Sequence, residues 1–104
     1  MARRRKRASR SIRIDAWDLD ADGGNVEHLE ANGVTVEILD QVAEEQPRFR
    51  ANKKHRAATH QMIGPDRGGR MWVICIREKE PFIWRPITGW EADQAEIDWW
   101  RKSQ

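Results

Sequence analysis

The chain is poor in several residue types, and each shortage narrows the classes of protein to which it can belong. It has a single cysteine, Cys75, which excludes an intrachain disulfide and with it the disulfide-stapled folds of small secreted domains. No stretch approaches the roughly 18 consecutive apolar residues of a membrane-spanning helix. The basic N-terminus is not followed by the apolar segment of a signal peptide. We therefore expect a cytoplasmic protein with no membrane partner.

The length and composition of the chain fit one small domain. The 104 residues match the usual size of a single domain and exclude a multidomain enzyme. Hydrophobic residues make up 38% of the chain, enough for a small core, and charged residues make up 35%. Residues 1–10 show no apolar period and are predicted to form a disordered basic tail. Residues 11–104 are predicted to form the single domain.

The small net charge of +2 conceals blocks of opposite sign. Residues 1–13 carry seven basic side chains, whereas residues 14–47 carry ten acidic ones and no Lys or Arg. Residues 48–70 are basic again, with seven basic side chains against one acid. Clustered arginines attract phosphates, so Arg3, Arg4 and Arg5 are candidates for RNA binding. The alternative is a solvated tail, or one that docks on the acidic block.

Two acidic helices are predicted in the first half of the chain. Asp20 or Asp22 offers an N-cap for a helix that ends at Asn32 and Gly33, both of which tolerate a positive φ. Thr35 caps a second helix that carries an apolar stripe. The two are predicted to form a helical hairpin over residues 22–45.

Strands are predicted before and after this pair, at residues 12–16, 48–50, 58–63, 71–76 and 82–84. Residues 71–76 are apolar on both faces, which places them in the centre of a sheet. A turn is expected at residues 78–81, and Pro86 requires a bulge or an edge because it has no N–H. Thr88 and Glu91 match a capping box and predict a C-terminal helix over residues 90–102.

The predicted order of elements indicates an α+β fold. It consists of an antiparallel sheet of three to five strands, an N-terminal helical hairpin and a C-terminal helix, with the helices packed on one face. The other face, or its rim, is then left open for a ligand.

No cofactor or metal site is predicted. Asp18, Asp20 and Asp22 resemble the start of a calcium loop, but Leu29 stands where the pattern requires a bidentate acid. The three histidines are scattered, and one cysteine does not complete a zinc site.

A basic stretch is the strongest chemical signal in the sequence. Its cations are candidates for RNA binding, namely Arg48, Arg50, Lys53, Lys54 and Arg56. Metal-free RNA cleavage needs a base, an acid and cations that stabilise the extra charge on phosphorus. The catalytic candidates are His55 and His60 with Arg70, Arg77 and Arg85. The alternative is an exposed basic surface that pairs with acidic helices or with a partner.

Six tryptophans form the second unusual feature. Trp90, Trp99 and Trp100 cluster around the predicted last helix. Trp99 and Trp100 are consecutive, so their side chains cannot both face the core. We expect these three side chains to form an apolar patch completed by a partner protein or a second copy in a homodimer.

Several stretches, taken in order, resemble the BrnT-type toxins of bacterial toxin–antitoxin pairs. They are Asn25-x-x-His28-Leu29-x-x-Asn32-Gly33-Val34, Ile63-Gly64, Gly69-Arg70, Pro86-Ile87-Thr88 and the helix that carries Glu96. The resemblance covers about residues 14–100. It implies a RelE-like fold, a metal-independent ribonuclease that inhibits translation, and a cognate antitoxin encoded beside it.

The chain departs from the family pattern at two cationic positions. Trp90 stands where the family has arginine after its P-I-T-A step, and Ile97 falls within the family's E-R-R step. Two functions therefore remain open. The first is a ribonuclease toxin, and the second is a non-catalytic toxin-like module that binds RNA or a protein through its basic face and arginine tail.

Overall fold

The computed structural model describes residues 12–53 and 57–104. The predicted tail, residues 1–10, lies outside the described residues, as do Lys54, His55 and Arg56. The elements, in chain order, are β1 (Ala16–Trp17), α1 (Gly24–Ala31), α2 (Val36–Glu44), β2 (Arg48–Ala51), β3 (His60–Pro65), β4 (Met71–Glu80), β5 (Ile83–Glu91) and α3 (Gln94–Lys102). The predicted α+β class is confirmed.

The five strands form one open sheet in the order β1-β5-β4-β3-β2. The apolar strand β4 lies at its centre, as its sequence predicts. The expectation of a purely antiparallel sheet is wrong at one edge, because β1 pairs in parallel with β5 through Ala16 and Trp17. A parallel neighbour needs a long crossover connection, and α1, α2 and the strands that follow provide it.

The middle of β5 contains the predicted irregularity at Pro86. Cys75 faces Thr88 across the ladder while Ile76 faces Pro86, so Ile87 is an extra residue in β5. The bulge is confirmed, but β5 is not an edge strand, since β1 covers the beginning of its outer side.

The predicted start of the last helix is wrong. Thr88 and Glu91 belong to β5. This part of the backbone is extended and pairs with β4, so it does not begin a helix at Thr88. The capping box lies five residues further on, where Asp93 accepts from Glu96 N at 2.8 Å and Glu96 accepts from Asp93 N at 2.8 Å. The turn expected at residues 78–81 also moves, since β4 continues to Glu80 and the left-handed residue is Phe82, with φ 67°.

One face of the sheet carries the main core. Trp72, Ile74 and Ile76 alternate on β4 and pack with Met62, Trp84 and residues of α1 and α2. Helix α1 lies chiefly on β5 and α2 on β3. Thr35 caps α2 as predicted, accepting from Ile38 N at 3.1 Å.

The opposite face is partly covered by α3, so the helices are not confined to one face as expected. Arg48 and Arg50 point away from the main core, because Phe49 between them packs against it. The Arg50 guanidinium lies 4.8 Å from the Trp99 ring centroid, and Arg48 Nε donates to Ser103 O at 3.0 Å. Helix α3 therefore occupies the β2 end of this second face.

None of the helices in the described part of the chain is long and apolar enough to cross a bilayer, since the longest have nine residues.

Candidate nucleic-acid interface

The half of the second face that α3 leaves uncovered forms a pocket of about 420 Å³. Alternation along three strands places Gln61 of β3, Cys75 of β4, and Thr88 and Trp90 of β5 on the same side. The pocket is lined by Asn52, Ala57, Ala58, Gln61, Cys75, Ile87, Thr88 and Trp90. None of these lining residues is charged.

A smaller cavity of about 260 Å³ adjoins this pocket and shares Asn52 and Gln61 with it. Its other lining residues include Arg50 and Lys53. The two cavities thus differ sharply in chemistry, because one is neutral with an aromatic residue and the other is cationic. Among the described residues, no acidic side chain lines either cavity.

A chain of hydrogen bonds fixes the boundary between the two cavities. Arg50 Nε donates to Gln61 Oε1 at 2.8 Å, and Gln61 Nε2 donates to Asn52 Oδ1 at 3.3 Å. Asn52 Nδ2 in turn donates to Ala58 O at 3.0 Å. Each amide keeps hydrogen-bonding capacity beyond these contacts, because a primary amide has two N–H donors and an oxygen with two lone pairs.

Trp90 is held in place at the other end of the pocket. Its Nε1 donates to both carboxylate oxygens of Glu96, at 3.1 and 3.2 Å. Trp90 remains 36% exposed, which is high for a large apolar side chain in a chain with so small a core. An indole that is oriented by a hydrogen bond and left open to solvent is suited to contact a flat ligand.

Ion pairing separates the cations of the described residues into two groups. Five arginines pair with acids, namely Arg13, Arg67, Arg70, Arg85 and Arg101. Within residues 12–53 and 57–104, four cations of the second face have no ion pair, namely Arg48, Arg50, Lys53 and Arg77. Lys79 and Lys102 also have no ion pair among the described residues. Lys79 lies on the β4–β5 hairpin, and Lys102 lies at the end of α3. Two of these cations without an ion pair, Arg50 and Lys53, line the smaller cavity that adjoins the pocket.

Arg77 stands out among these four. Its Nε atom is buried and has no hydrogen-bond partner among the described residues. It lies directly across the ladder from Arg85, on the face that carries Cys75. A buried donor without a partner costs free energy, so Arg77 is held at this position at some expense of stability.

Arg85 is a structural cation rather than a free clamp. Its two Nη atoms donate to both oxygens of Asp20, at 2.7 and 2.9 Å, and Nη1 also reaches Asp18 at 3.2 Å. The hydrogen bond with Asp20 is the main cause of the raised pKa of Arg85, and the same contact with Arg85 lowers the pKa of Asp20. Two of the acids that resembled a calcium loop are therefore bound to a guanidinium.

The described catalytic candidates do not converge. His60 lies on the main-core face, where its ring meets Trp84 edge-on at 5.3 Å and its Nδ1 lies 2.8 Å from Thr59 Oγ1. Arg70 precedes β4 and lies beside Glu91. Six strand residues lie between Arg70 and Arg77, and the seven residue steps span about 23 Å. His55 lies outside the described residues, so the structure does not place it.

The three tryptophans expected in a partner patch have intrachain contacts. Trp99 lies under Arg50, and Trp100 Nε1 donates to Gln46 O at 2.8 Å. Both are half-buried, and the exposed large hydrophobic side chains of the described residues are Trp90 and Phe82. Of the three, only Trp90 presents a substantial open surface.

Sequence reasoning missed the uncharged members of the site. Asn52 and Gln61 carry no charge or motif, and Thr88 was assigned to a helix cap rather than to a binding site. Only the pairing of neighbouring strands brings these residues together. It also gave no role to Asn25, which is 7% exposed. The Asn25 amide donates to Asp18 O at 3.0 Å and to Pro86 O at 3.3 Å, joining α1 to the bulge of β5.

Comparison with known proteins finds no family model and no curated protein that matches the chain. The geometry of the site therefore carries the functional argument.

Proposed function

We propose that this chain is the toxin-like component of a toxin–antitoxin pair, with a RelE-like fold of the BrnT type, and that it binds RNA on the second face of its sheet. The observation that carries the proposal is the placement of unpaired cations. Arg50 and Lys53 line a cavity without acidic lining residues among those described, and Arg77 follows the pocket-lining Cys75 by two residues on the same face of β4. The paired arginines lie elsewhere or are neutralised.

RNA is the polyanion that this arrangement favours. Each cation that contacts a phosphate releases counterions, so a handful of cations on one face gives salt-dependent binding. The neutral pocket next to them gives unstacked bases a place to bind, and sequence-tolerant recognition of single strands uses aromatic side chains in this way. The described acids that approach this face, Asp18, Asp20 and Glu96, are bound to Arg85 and Trp90.

Binding without cleavage is the version that the described residues favour. Cleavage needs a base, an acid and cations within reach of one phosphate. His60 and Arg77 lie on opposite faces of the sheet, and Arg85 is occupied by Asp20. The ribonuclease toxin remains a second candidate that depends on His55.

The test of RNA binding is fluorescence anisotropy with a labelled 12-nucleotide single-stranded RNA, titrated with the full chain between 50 and 200 mM salt. We expect Arg50→Gln and Lys53→Gln each to weaken binding and to reduce the salt slope by about one. Arg101→Gln is the matched control, since Arg101 is exposed and paired with Asp98. Equal losses in all three variants, or no binding by the wild type, would contradict the proposal.

Cleavage is tested separately by inducing the wild type and His55→Ala in a bacterial host. Growth arrest and RNA fragmentation that His55→Ala abolishes would establish the ribonuclease. Intact growth and RNA with the wild type, in a host that lacks any antitoxin, would leave only the binding role.

The antitoxin and the homodimer are proposals that share one experiment. The chain is co-expressed with its neighbouring gene and analysed by size exclusion with light scattering, with the chain alone as reference. A stable heterocomplex supports the antitoxin, and a mass of twice 12.2 kDa for the chain alone supports the homodimer. A monomer that recovers no neighbour contradicts both.

A further inference from the structure

We infer that the two adjoining cavities form a binding site for one nucleotide unit of single-stranded RNA, with the base in the neutral pocket and its phosphate in the cationic cavity. The inference rests on the proposed function and deepens it, since it names the part of RNA that the face recognises. Its basis is the juxtaposition of two cavities of unlike chemistry that share Asn52 and Gln61.

The larger pocket has the chemistry of a base site. Its volume of about 420 Å³ lies within the roughly 300–1,000 Å³ usual for small-ligand sites. Ala58, Cys75 and Ile87 supply apolar surface, and Trp90 supplies an aromatic ring. The absence of charge among the lining residues suits a neutral heterocycle, whose edge the Gln61 amide is able to hydrogen-bond. The Thr88 hydroxyl already lies 3.1 Å from His28 Nε2.

The smaller cavity has the chemistry of a phosphate site. Arg50 and Lys53 line it, and neither forms an ion pair with a described residue. The hydrogen bond from Arg50 Nε to Gln61 and the contact with Trp99 orient the guanidinium before any ligand arrives. A pre-oriented cation loses less side-chain entropy on binding, which favours phosphate at this position.

The adjacency of the cavities selects a single strand over a duplex. A base enters the larger pocket only if it is unstacked and unpaired, which is costly in a helix and cheap in a loop or single strand. A base-free polyanion is able to use the cationic cavity but gains nothing from the pocket. Discrimination between RNA and such a polyanion is therefore the measurable signature of the site.

The experiment compares a labelled 12-nucleotide single-stranded RNA with heparin, a base-free polyanion, on the full chain and three variants. Trp90→Leu removes the aromatic ring, and Ala57→Leu partly fills the pocket from an exposed lining position. Phe82→Leu is the matched control, because Phe82 is the other exposed aromatic residue and lies at the β4–β5 turn. Circular dichroism melting confirms that each variant is folded.

We expect Trp90→Leu to weaken RNA binding by about tenfold, the loss of one base stacked on an aromatic ring. Heparin binding and the salt slope should stay within twofold of wild type, and Ala57→Leu should reproduce the pattern. Phe82→Leu should change neither ligand. Equal effects of Trp90→Leu and Ala57→Leu on RNA and heparin, or no effect on either ligand, would overturn the base pocket while leaving RNA binding intact.

A third probe, adenosine monophosphate, separates this inference from the proposed function. If the wild type binds no RNA, the proposed function fails. Binding of the mononucleotide that Trp90→Leu weakens would then still support the nucleotide site, with a free nucleotide as its ligand. Absence of both RNA and mononucleotide binding would overturn the site as well.

Discussion

Replacing Arg85 by glutamine tests whether this arginine holds the fold together or contacts a ligand. The side chain makes hydrogen bonds of 2.7 and 2.9 Å to Asp20 and 3.2 Å to Asp18, and it is 23% exposed. Hydrogen bonds to charged groups contribute roughly 1.5–3 kcal/mol when buried, whereas fully exposed ion pairs contribute roughly 0.2–1 kcal/mol. Partial exposure places the expected loss in the free energy of unfolding at about 1–2 kcal/mol.

For a domain of this size, such a loss lowers the melting temperature by about 5–12 °C. Arg101→Gln is the control, because Arg101 is 66% exposed in its pair with Asp98 and should lose less than about 0.5 kcal/mol. Calorimetry gives the melting temperatures, and RNA anisotropy is measured well below them. A variant that melts with the wild type and yet binds RNA tenfold more weakly would refute the structural role of Arg85.

Three further predictions follow from local geometry. Burial alone would raise the pKa of Asp66, but hydrogen bonds from Trp72 Nε1 and backbone N–H groups outweigh it and lower the pKa. Its stabilising contribution is therefore complete above about pH 4 and is lost as the pH falls through the lowered value, so the gap in melting temperature between wild type and Asp66→Asn should narrow in acid. Gly89→Ala would place a Cβ 2.9 Å from a backbone oxygen of β4, and chemical denaturation should show a loss of about 1–3 kcal/mol. Asp93→Ala should lower the free energy of unfolding by about 1 kcal/mol, because it removes the N-cap of α3. Thr88→Ala should leave the helical circular dichroism signal unchanged, because Thr88 lies in β5. A loss of helical signal in Thr88→Ala and none in Asp93→Ala would contradict this assignment of the cap.

Signals carried by a few neighbouring residues were sufficient for several elements of the fold. The run from residue 71 to 76 is apolar at every position, and its short length and β-branched residues are typical of a strand covered on both faces. Thr35 has the side chain and the position of an N-cap, and Pro86 cannot donate to a ladder, so the cap and the bulge follow from local chemistry. The clustering of cations in residues 48–70 predicted a basic region, although not which of its cations would lack an ion pair.

Long-range pairing decided the rest. The sequence of residues 12–17 does not predict that β1 pairs in parallel with β5. The partner, direction and register of a strand depend on residues far away in the chain. The same applies to the candidate site. The sequence suggested that Arg85 binds phosphate, but the fold places its guanidinium against the Asp20 carboxylate. The pocket likewise depends on strand pairing, which aligns Gln61, Cys75 and Trp90 from three different strands on one face of the sheet. Local chemistry determined the central strand β4, the Thr35 cap, the bulge at Pro86 and the blocks of charge in this protein. Tertiary packing determined the edge pairing of β1, the position of the α3 cap and which cations remain without an ion pair.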